Sequence, residues 1–209
     1  SSLCQSITTL SKGDVDACVS AGSTGALLMQ SVRLIDTLPG IKRPAICASA
    51  PTYYGNVSLL DLGANISCDA NNFHQFGVLA SMKCNLIDGI ENPSIKLLNV
   101  GEEANKGTKE LKAAAKLFNE DKNLNYQGFI EGNNLFNDPV DVIVCDGFTG
   151  NVALKTAEGV ARLATGIGAD IVKQRFSLRL LSKIFTKSLD DFKNRLSPTQ
   201  HNGAIFLGL

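Results

Sequence analysis

Residues 140–159 read VDVIVCDGFTGNVALKTAEG. The opening run, Val140-Asp141-Val142-Ile143-Val144-Cys145, is short, apolar and β-branched, the pattern of a strand covered on both faces in a parallel sheet. Further on, Val152, Ala157, Val160, Ala161, Ala164 and Ile167 recur at helical spacing, which predicts a helix over 151–172. Between the two, Gly147 and Gly150 allow backbone angles closed to other residues and let a ligand approach the main chain. Asn151 is the expected N-cap. A helix start carries free N–H groups and the positive end of the dipole, so it suits an anion. Taken alone, the stretch reads equally well as a tight turn that needs its glycines only for geometry.

Working outward, the pattern predicts strands near 16–20, 44–49, 57–62, 95–100, 126–131, 140–145 and 203–207. Helices are expected near 3–11, 25–36, 71–84, 107–119, 151–172 and 178–196. Strands mostly alternate with helices, which implies an α/β protein built on a mainly parallel sheet. The loops after these strands share one chemistry. SAGSTGALL (20–28), LDLGANIS (60–67), NVGEEANKGTKEL (99–111) and CDGFTGN (145–151) are each rich in Gly, Asn, Ser or Thr. Ligands of open parallel sheets bind beyond the carboxyl ends of the strands, so these loops are expected to line one site.

Composition limits the functions available. The chain has 209 residues, 44% apolar and 19% charged, an ordinary globular balance expected to fold as a single α/β domain. The formal net charge is zero, so nothing global points to nucleic acid. Six cysteines are scattered without a C-x-x-C pair, which reads as reduced, buried thiols of a cytosolic protein. No signal peptide or membrane-length apolar run stands out. Both ends look cut, as in a fragment of a larger chain.

Several chemistries lack their signatures. G-x-G-x-x-G, G-x-x-x-x-G-K-[ST] and H-E-x-x-H are all missing. His74 and His201 are far apart, so neither a metal nor a cofactor is expected. Ala21-Gly22-Ser23-Thr24-Gly25 vaguely resembles a nucleophile elbow, yet neither histidine lies in a Gly-rich loop to serve it. The better reading is a helix start offering amides and hydroxyls to an anion. Lys106 precedes Gly107 at another expected helix start, where it is either a point charge for a phosphate or a solvated lysine. Glu102 and Glu103 are either helix-start acids or orienting groups for Lys106.

Residues 171–189, IVKQRFSLRLLSKIFTKSL, differ from the rest. Arg175, Arg179, Lys183 and Lys187 recur every four residues, apolar bulk fills the gaps, and no acid intervenes. A basic amphipathic helix of this kind lies on an anionic membrane, meets an acidic partner, or packs on its own protein with a wet basic face.

Taken together, the motifs resemble one family. VSAGSTGALL, PGIKRPAI, LLDLGAN, LLNVGEEANKGT, VDVIVCDGFTGNVALKTAEG and NGAIFLGL are similar, in order, to signature stretches of the PlsX phosphate acyltransferases of bacterial phospholipid synthesis. Ser23 stands where that family usually has Asn, and the family's opening strand with its Gly-Gly-Asp turn is not in this sequence. The resemblance implies conversion of an acyl-acyl-carrier protein and inorganic phosphate into acyl phosphate and free carrier protein. It also implies a three-layer fold like the isocitrate and isopropylmalate dehydrogenases and phosphotransacetylase, a homodimer, and a cytoplasmic, peripherally membrane-associated location. Lys106 and Asn151 are then the expected catalytic residues. Gly22, Ser23, Thr24, Gly25, Asn65, Gly147, Phe148, Thr149 and Gly150 are the expected phosphate and substrate contacts. A protruding basic hairpin at about 166–196 is expected to place Phe176, Leu178, Leu180, Leu181 and Ile184 against the membrane. There acyl phosphate would pass to a membrane-bound glycerol-3-phosphate acyltransferase. A coenzyme A-dependent phosphotransacetylase, a nucleotide-dependent dehydrogenase of the same fold group and a non-catalytic phosphate-binding or membrane scaffold are the alternatives.

Overall fold

The computed structural model describes residues 1–174 and 203–209. Its helices are α1 (Ser2–Ser11), α2 (Thr24–Ile35), α3 (Ala70–Leu86), α4 (Lys109–Glu120) and α5 (Gly147–Gln174). Its strands are β1 (Ala45–Thr52), β2 (Gly55–Leu60), β3 (Ser94–Asn99), β4 (Asn125–Glu131), β5 (Val142–Val144) and β6 (Ala204–Leu207).

The strands form one sheet in the order β4-β3-β5-β2-β1-β6. β5 pairs in parallel with both β3 and β2, and β3 pairs in parallel with β4. β1 is antiparallel to β2 and to β6, so β6 runs with the parallel set and β1 alone is reversed. The reversal follows from chain length. Only Tyr53 and Tyr54 separate the paired ends Thr52 and Gly55, far too few residues for a parallel crossover.

Side chains alternate across the sheet. Leu60, Ile95, Leu97, Val142 and Val144 face α3 and α4, where Phe73, Phe76, Leu111 and Phe118 complete a buried cluster. Leu59, Leu98, Ile130, Ile143 and Cys145 face the opposite way, toward Leu135 and the first turns of α5 at Ala153 and Leu154. The molecule is therefore α/β, with a mostly parallel sheet flanked by helices. β5 is buried on both faces because a layer packs on each side of the sheet, as its continuous apolar run predicts.

One expected strand is absent. Residues 16–20 form no regular element, and Val19 is almost wholly exposed. A short segment, Asp-Ala-Cys-Val-Ser, without a neighbour to pair with gains little from its strand propensity. The expected hairpin at about 166–196 falls outside the described residues from 175 onward, as do Phe176, Leu178, Leu180, Leu181 and Ile184. Among the described residues, no helix is long and apolar enough to cross a membrane.

A misfit in the core gives a direct test of packing. The Tyr126 ring stacks on Phe118 at 5.0 Å, but its hydroxyl is buried with no hydrogen-bond partner. Tyr126→Phe removes that uncompensated oxygen, so thermal unfolding should show stabilisation by up to about 1 kcal/mol. A clear destabilisation would mean that the hydroxyl is paired.

Candidate active site

The carboxyl ends of β3, β5 and β2 are adjacent along one sheet edge, each about 4.8 Å from the next. They lead respectively to the loop with Lys106, to the first turns of α5 with Asn151, and to the loop with Asn65. The structure thus brings three of the four Gly-rich loops together.

The loop after β5 is tighter than its sequence suggests. α5 begins at Gly147, and its cap is Asp146 instead of Asn151. The Asp146 carboxylate accepts from the Thr149 amide at 2.9 Å and from its hydroxyl at 2.8 Å. Gly150 N–H donates to the Asp146 carbonyl at 2.9 Å, and Gly147 N–H donates to the Asn65 carbonyl at 2.7 Å. The amides of Gly147, Thr149 and Gly150 are therefore already paired, and the helix dipole already faces a carboxylate. Among the described hydrogen bonds only the Phe148 amide of this first turn stays open, so the helix start expected here for an anion is narrowed to one main-chain donor. Asn151 lies just over one turn from the cap on the exposed face, and Phe148 is exposed at the rim. The two glycines are needed for contact. A Cβ on Gly147 would fall 2.8 Å from the Asn65 carbonyl oxygen, and one on Gly150 would collide with the Asp61 carbonyl oxygen.

The loop after β2 supplies the surface beneath that helix. Asp61 is fully buried, and Asn65 nearly so. Both hydrogens of the Asn65 amide group are used, one on the Pro44 carbonyl and one on Asp61, each at 2.9 Å. Asn65 is thus a brace inside the loop and presents no free N–H to a substrate. Asn151 rests against Gly63, where a Cβ would lie 3.8 Å from the Asn151 Cβ and Cγ.

The loop after β3 presents the cation. Lys106 Nζ lies 3.3 Å from Glu103 Oε1, and both side chains are more than half exposed. The Glu103 carboxyl is held below its usual range by its own backbone amide and by Lys106. The backbone is fixed from below. Buried Asn99 donates from Nδ2 to the Lys106 carbonyl at 3.3 Å, and Lys106 N–H donates to the Glu103 carbonyl at 3.0 Å. Gly107 has φ +87° and sits directly on the Asn99 amide, so no larger residue fits there.

Gly22, Ser23, Thr24 and Gly25 form the exposed start of α2, with no strand before them. Ser23 is the cap residue but its side chain makes no capping bond, so this helix start keeps open amides. The segment after α2 is tied to the sheet edge, through Leu38 N–H to the Gly208 carbonyl. None joins residues 22–25 to the other three loops.

The nearby thiols are shifted away from the thiolate form. Burial pushes Cys68 up to about 12 and Cys145 well above its ordinary range. Both stay protonated near neutral pH. Asp61, Asp146 and Asn99 are the structural residues that sequence reading missed. Asp146 had a legible signal, an aspartate directly before the first helical residue.

An α/β fold with a mostly parallel sheet flanked by helices is what this chain shares with solved phosphotransacetylases. The chain is similar to a phosphotransacetylase from Streptococcus pyogenes, with a TM-score of 0.60, 16% identity, and coverage of 76% of this chain and 55% of that one. It is also similar to the EutD phosphotransacetylase from Staphylococcus aureus, with a TM-score of 0.58, 17% identity and the same coverage. At these identities the likeness concerns the fold. The chain belongs to the family described as "Fatty acid synthesis protein", whose profile matches residues 1–209. It is 46% identical to a phosphate acyltransferase from Colwellia psychrerythraea, over 100% of this chain and 60% of that protein. It is 47% identical to one from Cellvibrio japonicus, over 100% of this chain and 62% of that protein. The chain therefore spans about 60% of the length of these curated relatives.

Proposed function

We propose that this chain is the main part of an acyltransferase that makes acyl phosphate from an acyl-acyl-carrier protein and inorganic phosphate. Membership of the family and the names of its relatives support the reaction. The observation that carries the site is the side-by-side placement of the Lys106 and Asn151 loops at one sheet edge. In this reading the fold is of the isocitrate/isopropylmalate dehydrogenase type.

The reaction asks little of acid–base groups. A phosphate oxygen attacks the thioester carbonyl carbon, the C–S bond breaks, and the proton on phosphate passes to the departing thiolate. The parent thiol has an ordinary value of about 8.5, so no strong general acid is needed. What remains is to place two anions and stabilise a tetrahedral oxyanion. Lys106 supplies the charge for phosphate, and the Asn151 amide supplies a neutral donor for the oxyanion. With the Gly147, Thr149 and Gly150 amides already paired, those of Phe148, Ser23, Thr24 and Gly25 are the remaining main-chain donors for phosphate, and Gly22, whose N–H is held by Ser20 Oγ at 3.1 Å, shapes the turn before α2. Gly147, Thr149 and Gly150 shape the wall, and Phe148 at the rim meets the acyl chain or the pantetheine arm.

The homodimer, the anionic membrane surface and the membrane-bound glycerol-3-phosphate acyltransferase belong to the same proposal. Its membrane part rests on the basic, acid-free stretch 171–189. Co-sedimentation with vesicles should therefore require anionic lipid.

The activity is tested with the full-length protein, comparing carrier-protein and coenzyme A thioesters of one acyl group in the presence of phosphate. Acyl phosphate should form with kcat/KM at least about tenfold higher for the carrier-protein donor, a modest discrimination for an enzyme site. Equal or better use of the coenzyme A donor would transfer the protein to the phosphotransacetylase reading. Phosphate binding without turnover would make it non-catalytic.

A further inference from the structure

Asp61 is a fully buried carboxylate with no ion pair among the described residues. Its oxygens are instead surrounded by N–H groups. Oδ1 accepts from the amides of Ile46 at 2.9 Å, Gly63 at 3.3 Å and Ala64 at 3.1 Å. Oδ2 accepts from the Asn65 amide at 2.6 Å and from Asn65 Nδ2 at 2.9 Å. Burying a carboxyl group is costly unless its oxygens are hydrogen-bonded, and here five N–H donors meet them.

The donors are informative in their origin. One comes from β1 and the rest from the 63–65 turn, so the carboxylate folds that turn back onto the sheet. The turn in turn carries α5. Gly147 N–H donates to the Asn65 carbonyl, Asp61 N–H donates to the Cys145 carbonyl at 2.9 Å, and Gly150 abuts the Asp61 carbonyl. Asn151 rests on Gly63 in the same turn.

We propose that Asp61 is a positioning residue that sets the place of the Asn151 side chain through the 63–65 turn. This rests on the assignment of Asn151 to the oxyanion. A displacement of about 1 Å at a reacting group costs roughly 100-fold in rate, so the turn need not unfold for the effect to appear.

The test is a double-mutant cycle in the full-length protein, with acyl-carrier-protein thioester and phosphate as substrates. Asp61→Asn sets an NH2 group against N–H donors and should lower kcat about 10- to 100-fold, while KM for the acyl donor stays within about threefold. On an Asn151→Ala background the same change should cost less than about twofold, because the group it positions is gone. Multiplicative losses, or a folded Asp61→Asn variant with parental kcat, would overturn the proposal. Parental kcat in Asn151→Ala alone would remove the oxyanion assignment and this inference with it, so the two failures are distinguishable. Should Asp61→Asn not fold, Asn65→Ala enters the same cycle, since it removes one donor to Oδ2 and keeps the carboxylate. It should lower kcat about 5- to 10-fold, again only when Asn151 is present. No loss, or the same loss without Asn151, would overturn the proposal.

Discussion

Lys106→Ala in the full-length protein is expected to lower kcat/KM for acyl phosphate formation by about 100-fold or more. Removing one preorganised stabiliser of developing charge typically costs that much. Lys106 is well prepared for the role. Its main chain is held by Asn99 and by Glu103, and its aliphatic stem lies against Gly101, where a Cβ would come within 2.8 Å of the Lys106 Cδ. The ammonium nevertheless remains about half exposed, so an incoming anion meets it without a large rearrangement. Glu103 is the competing partner at 3.3 Å. In the proposed reaction a phosphate dianion is expected to replace it, because the exposed bridge is weak and the dianion carries more charge. Glu103→Gln should therefore leave turnover within about threefold of the parent and lower KM for phosphate. A folded Lys106→Ala variant with activity within about threefold of the parent would end the assignment.

Much of this arrangement is legible in sequence, for reasons visible in particular residues. The run Val140–Cys145 shows a strand buried on both sides, and β5 occupies that place between β3 and β2. The run 16–20, Asp-Ala-Cys-Val-Ser, has a single β-branched residue and no neighbour, and pairing is a property of two segments. The start of α5 lies four residues ahead of its expected place. Gly147 and Gly150 weaken any local preference for helix, yet both are helical, and the 61–65 turn packed against them leaves no room for a larger residue. Asp61 is the least legible site residue. Its partners stand 15 positions away at Ile46 and within a short turn, while its carbonyl meets Cys145 Sγ across 84 positions. No periodic pattern encodes contacts of that kind. Composition groups four loops as one site, and the sheet order supports that grouping for three and leaves the α2 start apart.

Gly150→Ala should destabilise the chain, although the usual rule predicts the reverse. Inside a helix, alanine is normally better than glycine by about 1 kcal/mol. At position 150 the new methyl would collide with the Asp61 carbonyl oxygen and approach Cys145 Sγ at 2.6 Å and the Asp61 carbonyl carbon at 3.2 Å. The first of these obstacles is main chain, held in the sheet by the Asp61 N–H bond to Cys145, so it cannot swing aside like a flexible side chain. Overpacking of this kind costs about 1–3 kcal/mol, enough to override the propensity gain. For a chain of this size that corresponds to a fall of roughly 2–12 °C in Tm. Gly159 and Gly166 provide the internal control, since a Cβ on either meets nothing within 4 Å on the same helix. Gly159→Ala and Gly166→Ala should each raise Tm or leave it unchanged, by the ordinary propensity rule. Activity should separate the sites as well. Forcing α5 off the 61–65 turn displaces Asn151, so Gly150→Ala should lose turnover at temperatures where it is still folded, and the two controls should not. If all three glycines respond alike in thermal unfolding, the contact between α5 and the β2 loop is not the constraint on which this site is built.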